Sequence, residues 1–137
     1  MGRNLKEIAE SYMSIWNSNN QDRLDKVAHK NLVVDYTHFE NPITAVENYK
    51  DLLKQTYSYF PDIQISLTEI IPNDAKNRVT VVWNYRGTHK NGKIFGFSST
   101  GKKVKVQGIT ILEIEEGLVK AERGIVDNMS LFNQLSH

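Results

Sequence analysis

The chain has 137 residues, 39% of them hydrophobic and 24% charged, which is typical of a single globular domain over residues 1–137 and excludes a disordered chain. The absence of cysteine excludes disulfides, thiolate metal sites and thiol nucleophiles. With 17 basic and 16 acidic residues the formal net charge is +1, so the basic excess typical of nucleic-acid binders is missing and we expect no nucleic-acid partner.

The N-terminal segment leads directly into a helical pattern rather than into the apolar region of a secretory signal. No run approaches the roughly 18 apolar residues that a spanning helix needs. Gly2 does not make a myristoylation signal, because Lys6 stands where that signal requires serine or threonine. We therefore expect a cytoplasmic protein that does not contact membranes.

The first half of the chain carries the periodicity of helices. Apolar residues recur at helical spacing over Leu5–Trp16, and a shorter helical piece is predicted from Asp22 to about His29. A short strand is predicted over residues 31–36. Asn41-Pro42 then breaks the chain, and a third helix is predicted from about Thr44 to Tyr59.

The second half changes to the alternation of strands and ends in a last helical turn. The predicted strands are Ile63–Ile71, Val79–Tyr85, Val104–Ile114 and Leu118–Asp127, and the turn is Met129–Leu135. Helices followed by strands in this order indicate an α+β fold with an antiparallel sheet. Such long strands twist strongly, so we expect N-terminal helices packed on a strongly curved antiparallel β-sheet that encloses one pocket. Gly108 in mid-strand predicts a bend or bulge.

The loop over residues 96–103 comes close to a phosphate-binding P-loop but fails in two respects. Lys103 stands where the magnesium-binding serine or threonine belongs, and a strand follows where a P-loop needs a helix N-terminus. The densest basic cluster is Lys102, Lys103 and Lys105, and strand alternation places two of these side chains on one side and one on the other. We interpret the cluster as a solvated strand end.

The histidines do not fall into a recognisable metal-binding frame. They are His29, His38, His89 and His137. Asp35, His38 and Glu40 lie close in sequence, but their spacing is irregular and crosses a predicted strand end, so we interpret them as a solvated loop and expect no metal.

Two residues remain as candidates for acid–base chemistry, His89 and Asp127. His89 leads a glycine-rich loop off a long strand, and Asp127 ends the last strand beside an apolar stretch. A carboxylate in an apolar pocket has a raised pKa and can transfer a proton near neutral pH. The alternative for Asp127 is structural, since an aspartate before a helix commonly caps the free amides of its first turn.

Motifs linked along the chain resemble the SnoaL-like polyketide cyclase (ester cyclase) family of the NTF2-like superfamily. They are Phe60-Pro61-Asp62, Gly87-Thr88-His89 and Glu116-Gly117-Leu118-Val119, with Asp127 before the closing helix. The resemblance covers essentially the whole chain and implies an NTF2-like α+β cone with one pocket. It also implies ring closure by intramolecular aldol condensation, without metal or cofactor.

The chain departs from this family at the residues that carry the chemistry. Counted from the turn glycine Gly117, the family's aspartate and histidine fall on Gly124 and Thr110, and neither can transfer a proton in that role. Arg123 stands where many relatives have tryptophan. The resemblance therefore carries over the fold and the pocket, but not the aldol mechanism.

Three functions stay open at this point. The first is a cyclase- or isomerase-like acid–base enzyme on a polyketide-like or aromatic substrate, with Asp127 as acid or base and His89, Tyr85 or His38 polarising a carbonyl. An isomerase could instead pair Asp35 or Asp127 with Tyr57 or Tyr85. The second is a non-catalytic binding protein, and the third is a dimeric interaction module.

The partners expected from the sequence are a small hydrophobic or aromatic ligand and a second copy of the chain. Apolar pockets are usually lined by aromatic side chains. The candidate ligand-binding residues are Trp16, Tyr36, His38, Phe60, Trp83, Tyr85 and Phe95. The segment Val79–Tyr85 has apolar residues on both faces, which predicts a homodimer through the outer face of the sheet.

Overall fold

The computed structural model describes residues 4–137, so Gly2 and its neighbours lie outside the described part. Three α-helices and six strands follow one another, with two short 3-10 helices (Ser14–Asn17 and Gln21–Lys26) after the first helix. The bounds are α1 Leu5–Met13, β1 Ala28–Tyr36, β2 Ile43–Thr44, α2 Val46–Tyr59, β3 Gln64–Asn73, β4 Arg78–Thr88, β5 Lys103–Glu115, β6 Leu118–Val126 and α3 Asn128–Ser136. In this range no helix combines the length and the apolar character that crossing a membrane requires.

The six strands form one open sheet in the order β2-β1-β6-β5-β4-β3. The α+β prediction is confirmed, but the sheet is mixed rather than wholly antiparallel, because β1 pairs with β6 in parallel. Parallel neighbours need a long crossover connection. Here α2 and the β3–β5 meander supply it, since both lie between β1 and β6 in the chain.

Three predicted boundaries shift for local reasons. The segment 22–29 is helical only to Lys26, and β1 already begins at Ala28. Ile43–Thr44 pairs with β1, so α2 starts at Val46 rather than at Thr44. Strand β3 continues through Pro72, which is tolerated because β3 is an edge strand where a missing N–H is not needed by a neighbour.

The helices pack on the sheet through the apolar stripes that their periodicity indicates. In α1, Ile8, Ala9, Tyr12 and Met13 are buried, and Asn4 caps the helix by accepting a hydrogen bond from the Glu7 amide at 2.8 Å. The stripe of α2 buries Tyr49 and Leu53 against the same core. A second, smaller core lies where α3 covers the sheet, around Val106 and Leu131.

The second 3-10 helix is held to α2 by one buried lysine. Lys50 has 5% of its surface exposed, and its ammonium group donates to Asp22, Asp25 and Glu47 at 3.3, 2.9 and 3.1 Å. A buried ammonium group is tolerated only when it is paired in this way. The contacts fix the segment that leads into β1.

Gly108 does not mark a bulge, contrary to the sequence-based prediction. It pairs regularly with Trp83 on β4 and with Val126 on β6. A Cβ atom at this position would lie 2.3 Å from Cζ2 of Trp83. Glycine is therefore required because the Trp83 indole ring lies directly on the backbone of β5.

Candidate functional site

A cavity of about 180 Å³ lies between the helices and the sheet. Its walls come from α1 and the following 3-10 helix, α2, β1 with the loop after it, β3, β4, β6 and the start of α3. Six lining residues are aromatic: Trp16, Tyr36, Phe39, Tyr49, Trp83 and Tyr85. Among the described residues that line it, Glu122 is the single charged side chain, and no lysine or arginine is present.

A β-bulge in β6 turns Glu122 toward this cavity. Val119 pairs with Ile114 and Ala121 pairs with Glu113, so Lys120 lies between them without a partner on β5. One extra residue inverts the alternation of a strand. Val119 and Glu122, three residues apart, are consequently both buried, with 0% and 2% of their surfaces exposed.

Tyrosine hydroxyls surround the Glu122 carboxyl. Tyr12 on α1 donates to Oε1 at 2.6 Å, and Tyr36 on β1 donates to Oε2. Tyr49 on α2 stacks on the ring of Tyr12, with centroids 6.4 Å apart, and interacts electrostatically with the same carboxyl. One carboxyl thus joins two helices to two strands of the sheet.

A directed chain of hydrogen bonds reaches Glu122 from β4. The indole Nε1–H of Trp83 donates to Oγ1 of Thr110 at 2.9 Å, because an indole nitrogen can only donate. The Thr110 hydroxyl is 2.6 Å from the hydroxyl of Tyr36, whose own hydrogen points at Glu122. Each donor in such a chain polarises the next one, so the chain favours negative charge on Glu122.

Burial is the largest cause of the pKa shifts of the ionisable groups in this site. Burial raises the pKa of Glu122, and the bonds from Tyr12 and Tyr36 oppose that rise without cancelling it. Burial, with the nearby Glu122, raises the pKa values of Tyr12, Tyr36 and Tyr49 well above the usual range. The tyrosines therefore stay protonated as donors, and the Glu122 carboxyl keeps its proton to a higher pH than an exposed carboxyl does.

Five of the seven residues predicted to bind ligand line the cavity: Trp16, Tyr36, His38, Trp83 and Tyr85. His38 lies at the rim, where it is exposed, and partial burial lowers the pKa of its imidazole. Phe60 is buried in the second core instead, against Gly87 and the ring of His89. Phe95 is 50% exposed on the loop after β4, where it contacts Phe132.

The two residues predicted to be catalytic lie outside the lining. His89 is buried, and its Nε2 is 2.7 Å from the Gly92 carbonyl, which it must donate to because a carbonyl only accepts. Asp127 is exposed and accepts a hydrogen bond from the Ser130 amide at 3.0 Å, which is the capping geometry of its structural alternative. Their catalytic roles stay predictions.

Among the described residues, no hydrogen bond joins Asp35 or Asp127 to Tyr57 or Tyr85, the isomerase-like pairs expected from the sequence. Asp35 is exposed, and the hydroxyl of Tyr57 donates to the backbone carbonyl of Trp16 at 2.6 Å. Within residues 4–137, no three histidine or acidic side chains come together as metal ligands do.

Thr110 and Gly124, which stand where the resemblance places the acid–base pair, lie opposite each other on β5 and β6. Thr110 relays the hydrogen bond from Trp83. A Cβ atom at position 124 would lie 2.3 Å from the Ile109 carbonyl oxygen and 2.8 Å from Cε2 of Tyr36. Gly124 therefore makes room for the Tyr36 ring, and both positions serve to place the tyrosine that bonds Glu122.

Sequence reasoning missed Glu122, the residue that dominates the electrostatics of the cavity. The alternation that begins at Val119 places residue 122 on the outer side, and the bulge at Lys120 that inverts it has no clear sequence signal. The one available hint was that Tyr12 and Tyr49, which lie in the apolar stripes of α1 and α2, carry hydroxyls that need partners once buried.

The family model for SnoaL-like polyketide cyclases matches residues 6–135. The chain belongs to this family. No curated protein sequence matches it. The fold is that of known SnoaL-like and NTF2-like proteins.

Solved structures with the same fold come from several bacteria. IdmH of Streptomyces antibioticus, provisionally assigned as a polyketide cyclase, has a TM-score of 0.84 at 17% identity, covering 98% of this chain and 100% of IdmH. A protein of Acidithiobacillus ferrooxidans with the same provisional assignment has a TM-score of 0.82 at 25% identity, covering 96% and 94%. AclR of Streptomyces galilaeus, provisionally assigned as a hydroxylase, has a TM-score of 0.82 at 19% identity, covering 96% and 95%.

Two substitutions at Asp127 test its capping role. Asp127→Ala is expected to lower the free energy of unfolding by about 1 kcal/mol, because the Ser130 amide loses its acceptor, whereas Asp127→Asn keeps most of the stability since asparagine also caps well. Urea denaturation of the three proteins measures both effects. Equal losses in the two variants would contradict capping by the side-chain oxygen.

The stability of the protein is expected to depend on pH through Glu122. Because the pKa of the folded protein lies above the ordinary value of 4.5, the folded state binds more protons than the unfolded state between the two values. The stabilisation that comes from the proton on folded Glu122 is therefore fully present below pH 4.5, and it is lost as pH rises through the pKa of the folded protein. In Glu122→Gln this loss disappears, so the difference in unfolding free energy between variant and wild type should grow with pH above 4.5. A difference that stays constant up to pH 8.5 would contradict the raised pKa.

Proposed function

We propose that the chain is an acid–base enzyme of the cyclase or isomerase type, with Glu122 as the group that moves the proton. The observation that carries the proposal is a single buried carboxyl, bonded by tyrosine hydroxyls, in an otherwise uncharged aromatic cavity. A carboxyl whose pKa is raised toward neutrality is suited to general acid–base catalysis. The role that the sequence suggested for Asp127 passes in this proposal to Glu122.

The chemistry uses side chains of this chain alone. The Glu122 carboxylate takes a hydrogen from a carbon next to a substrate carbonyl, and the electrons of that C–H bond move to the carbonyl oxygen. Tyr36 and Tyr49 both line the cavity, and once Glu122 has taken the proton and is neutral, their hydroxyls can turn from the carboxyl and donate to the enolate. In an isomerase the proton returns to another carbon. In a cyclase the enolate carbon attacks a second carbonyl of the same molecule, a C–C bond forms, and the new alkoxide takes the proton from Glu122.

The lining also supports a particular class of ligand. A buried carboxyl without a lysine or arginine in the wall repels an anionic substrate, and the aromatic surface favours a flat apolar one. A volume of about 180 Å³ holds one or two rings, so larger molecules would extend past His38 at the rim. We therefore propose an uncharged aromatic or polyketide-like ketone or ester.

The proposal predicts proton exchange that depends on Glu122. In D₂O the wild type should speed the exchange of the α-hydrogens of 2-tetralone, a small uncharged aromatic ketone, as followed by NMR. Glu122→Gln should reduce the enzyme-dependent rate by roughly 10²-fold or more, the usual contribution of a general base. Glu69→Gln, an exposed residue on β3 outside the lining, is the matched control and should retain the full rate.

The same experiment separates catalysis from simple binding. Simple binding is the alternative because Thr110 and Gly124 stand at the positions where the resemblance places the acid–base pair. Thermal stabilisation by 2-tetralone reports occupancy and should be the same in wild type and Glu122→Gln. If the ketone stabilises both proteins while wild type exchanges no faster than Glu122→Gln, the enzymatic proposal is wrong and a non-catalytic binding protein remains.

We also propose a homodimer through the outer face of the sheet. Val82, Ile109 and Ile125 pair directly across β4, β5 and β6 on this face, and the two isoleucines are 44% and 55% exposed. A second copy would cover this apolar row.

Light scattering at micromolar concentration should accordingly give about twice the chain mass of 15.7 kDa. Ile125→Lys should shift the protein to monomer, because it places a charge in the apolar row. Met129→Lys on α3 makes the same chemical change at a residue that is 69% exposed and outside this row, and it should leave the dimer intact. A wild-type monomer would contradict the proposal.

A further inference from the structure

A second cleft, of about 520 Å³, opens at one end of the sheet and carries three cationic side chains. They are Arg86 on β4 with Lys103 and Lys105 on β5. Arg86 follows Tyr85 directly, and since successive residues of a strand point to opposite faces, this cleft lies on the other side of the sheet from the cavity. It is thus separate from the site of Glu122.

Like charges lie next to each other in this cleft, which destabilises the protein when no ligand is bound. Arg86 pairs directly with Lys105, and like charges opposite each other destabilise a sheet. At the other end of the same two strands, Arg78 lies opposite Glu113 and forms an ion pair at 2.9 Å. No carboxylate within residues 4–137 lies within ion-pair distance of Arg86, Lys103 or Lys105.

The one carboxylate that lines the cleft is already engaged. Asp62 accepts hydrogen bonds from the amide and the hydroxyl of Thr88, each at 2.7 Å. The side-chain amide of Gln134 is also engaged. It accepts a hydrogen bond from the backbone N–H of Lys105 at 3.0 Å and donates one to the backbone C=O of Lys105 at 2.8 Å. The polar groups of Asp62 and Gln134 in the cleft are thus already hydrogen-bonded, whereas its three cationic side chains have no anionic partner among the described residues.

We propose that this cleft binds the phosphate group of a phosphorylated small molecule. A phosphomonoester carries nearly two negative charges and three acceptor oxygens at neutral pH, which matches three cations in one cleft better than a single carboxylate does. The planar guanidinium of Arg86 can bond two phosphate oxygens, while Lys103 and Lys105 act as point charges. The polar side chains Gln64 and Ser66 complete the lining on β3.

The bound phosphate leaves the proposed dimer contact free. Lys105 and Ile109 lie on the same face of β5, four residues apart, which corresponds to about 13 Å along a strand. The proposed phosphate site is therefore separate from both the dimer contact and the aromatic cavity. It does not depend on the acid–base role of Glu122.

Calorimetric titration with inorganic pyrophosphate, in a phosphate-free buffer at constant ionic strength, tests the proposal. Lys103→Gln combined with Lys105→Gln should weaken binding at least tenfold. Lys30→Gln combined with Lys54→Gln removes the same two charges at exposed residues outside the cleft and should change the affinity by less than twofold. Glu122→Gln should bind pyrophosphate as the wild type does, so a failure here is distinct from a failure of the catalytic proposal.

Two outcomes would overturn it. Equal weakening by both double variants, or heat release that sodium chloride at the same ionic strength reproduces, would mean that only general charge attraction is present. A second measurement needs no ligand: at low salt, Lys105→Gln should raise the melting temperature by relieving its repulsion with Arg86, and high salt should abolish the gain. A lower melting temperature at low salt would contradict the repulsion on which the site rests.

Discussion

The burial of one carboxyl group, that of Glu122, constrains the rest of the cavity. Removing a carboxyl from water is strongly unfavourable unless hydrogen bonds replace the lost hydration. The chain meets this requirement with hydroxyls from α1 and β1 and with the adjacent Tyr49 of α2. Because those elements must converge on one point, the hydrogen bonds to Glu122 also fix the helices on the sheet.

The two positions at which the family resemblance places an acid–base pair serve here to position Tyr36. Thr110 passes a hydrogen bond from Trp83 to Tyr36, and Gly124 leaves space for the Tyr36 ring. In the proposed mechanism Glu122, buried on β6 two residues before Gly124, takes the acid–base role in their place. Its carboxyl accepts hydrogen bonds from Tyr12 and Tyr36. Such a group is also a source of instability, which is common at sites selected for activity rather than stability.

The elements of the fold could be predicted because burial imposes its period on the sequence. Leu5–Met13 and the strands β4 and β5 follow that period closely. The parallel pairing of β1 with β6 could not, since nothing local to residues 28–36 specifies a partner more than 80 residues away. Most aromatic lining residues were predictable from type alone. Glu122 was not, because the bulge at Lys120 inverts the alternation from which its orientation would be read.

Helix α3 has a second role that its apolar contacts do not reveal. Strand β6 pairs with β5 as far as Gly108, and the Asp127 amide adds one bond to the Gln107 carbonyl. Beyond that point the amide of Gln134 takes the place of a neighbouring strand for Lys105. If α3 unwinds, this end of β5 acquires an exposed edge of unpaired backbone groups, which is a template for another chain. Loss of the last helix would therefore both open the second core and expose a strand edge that favours aggregation.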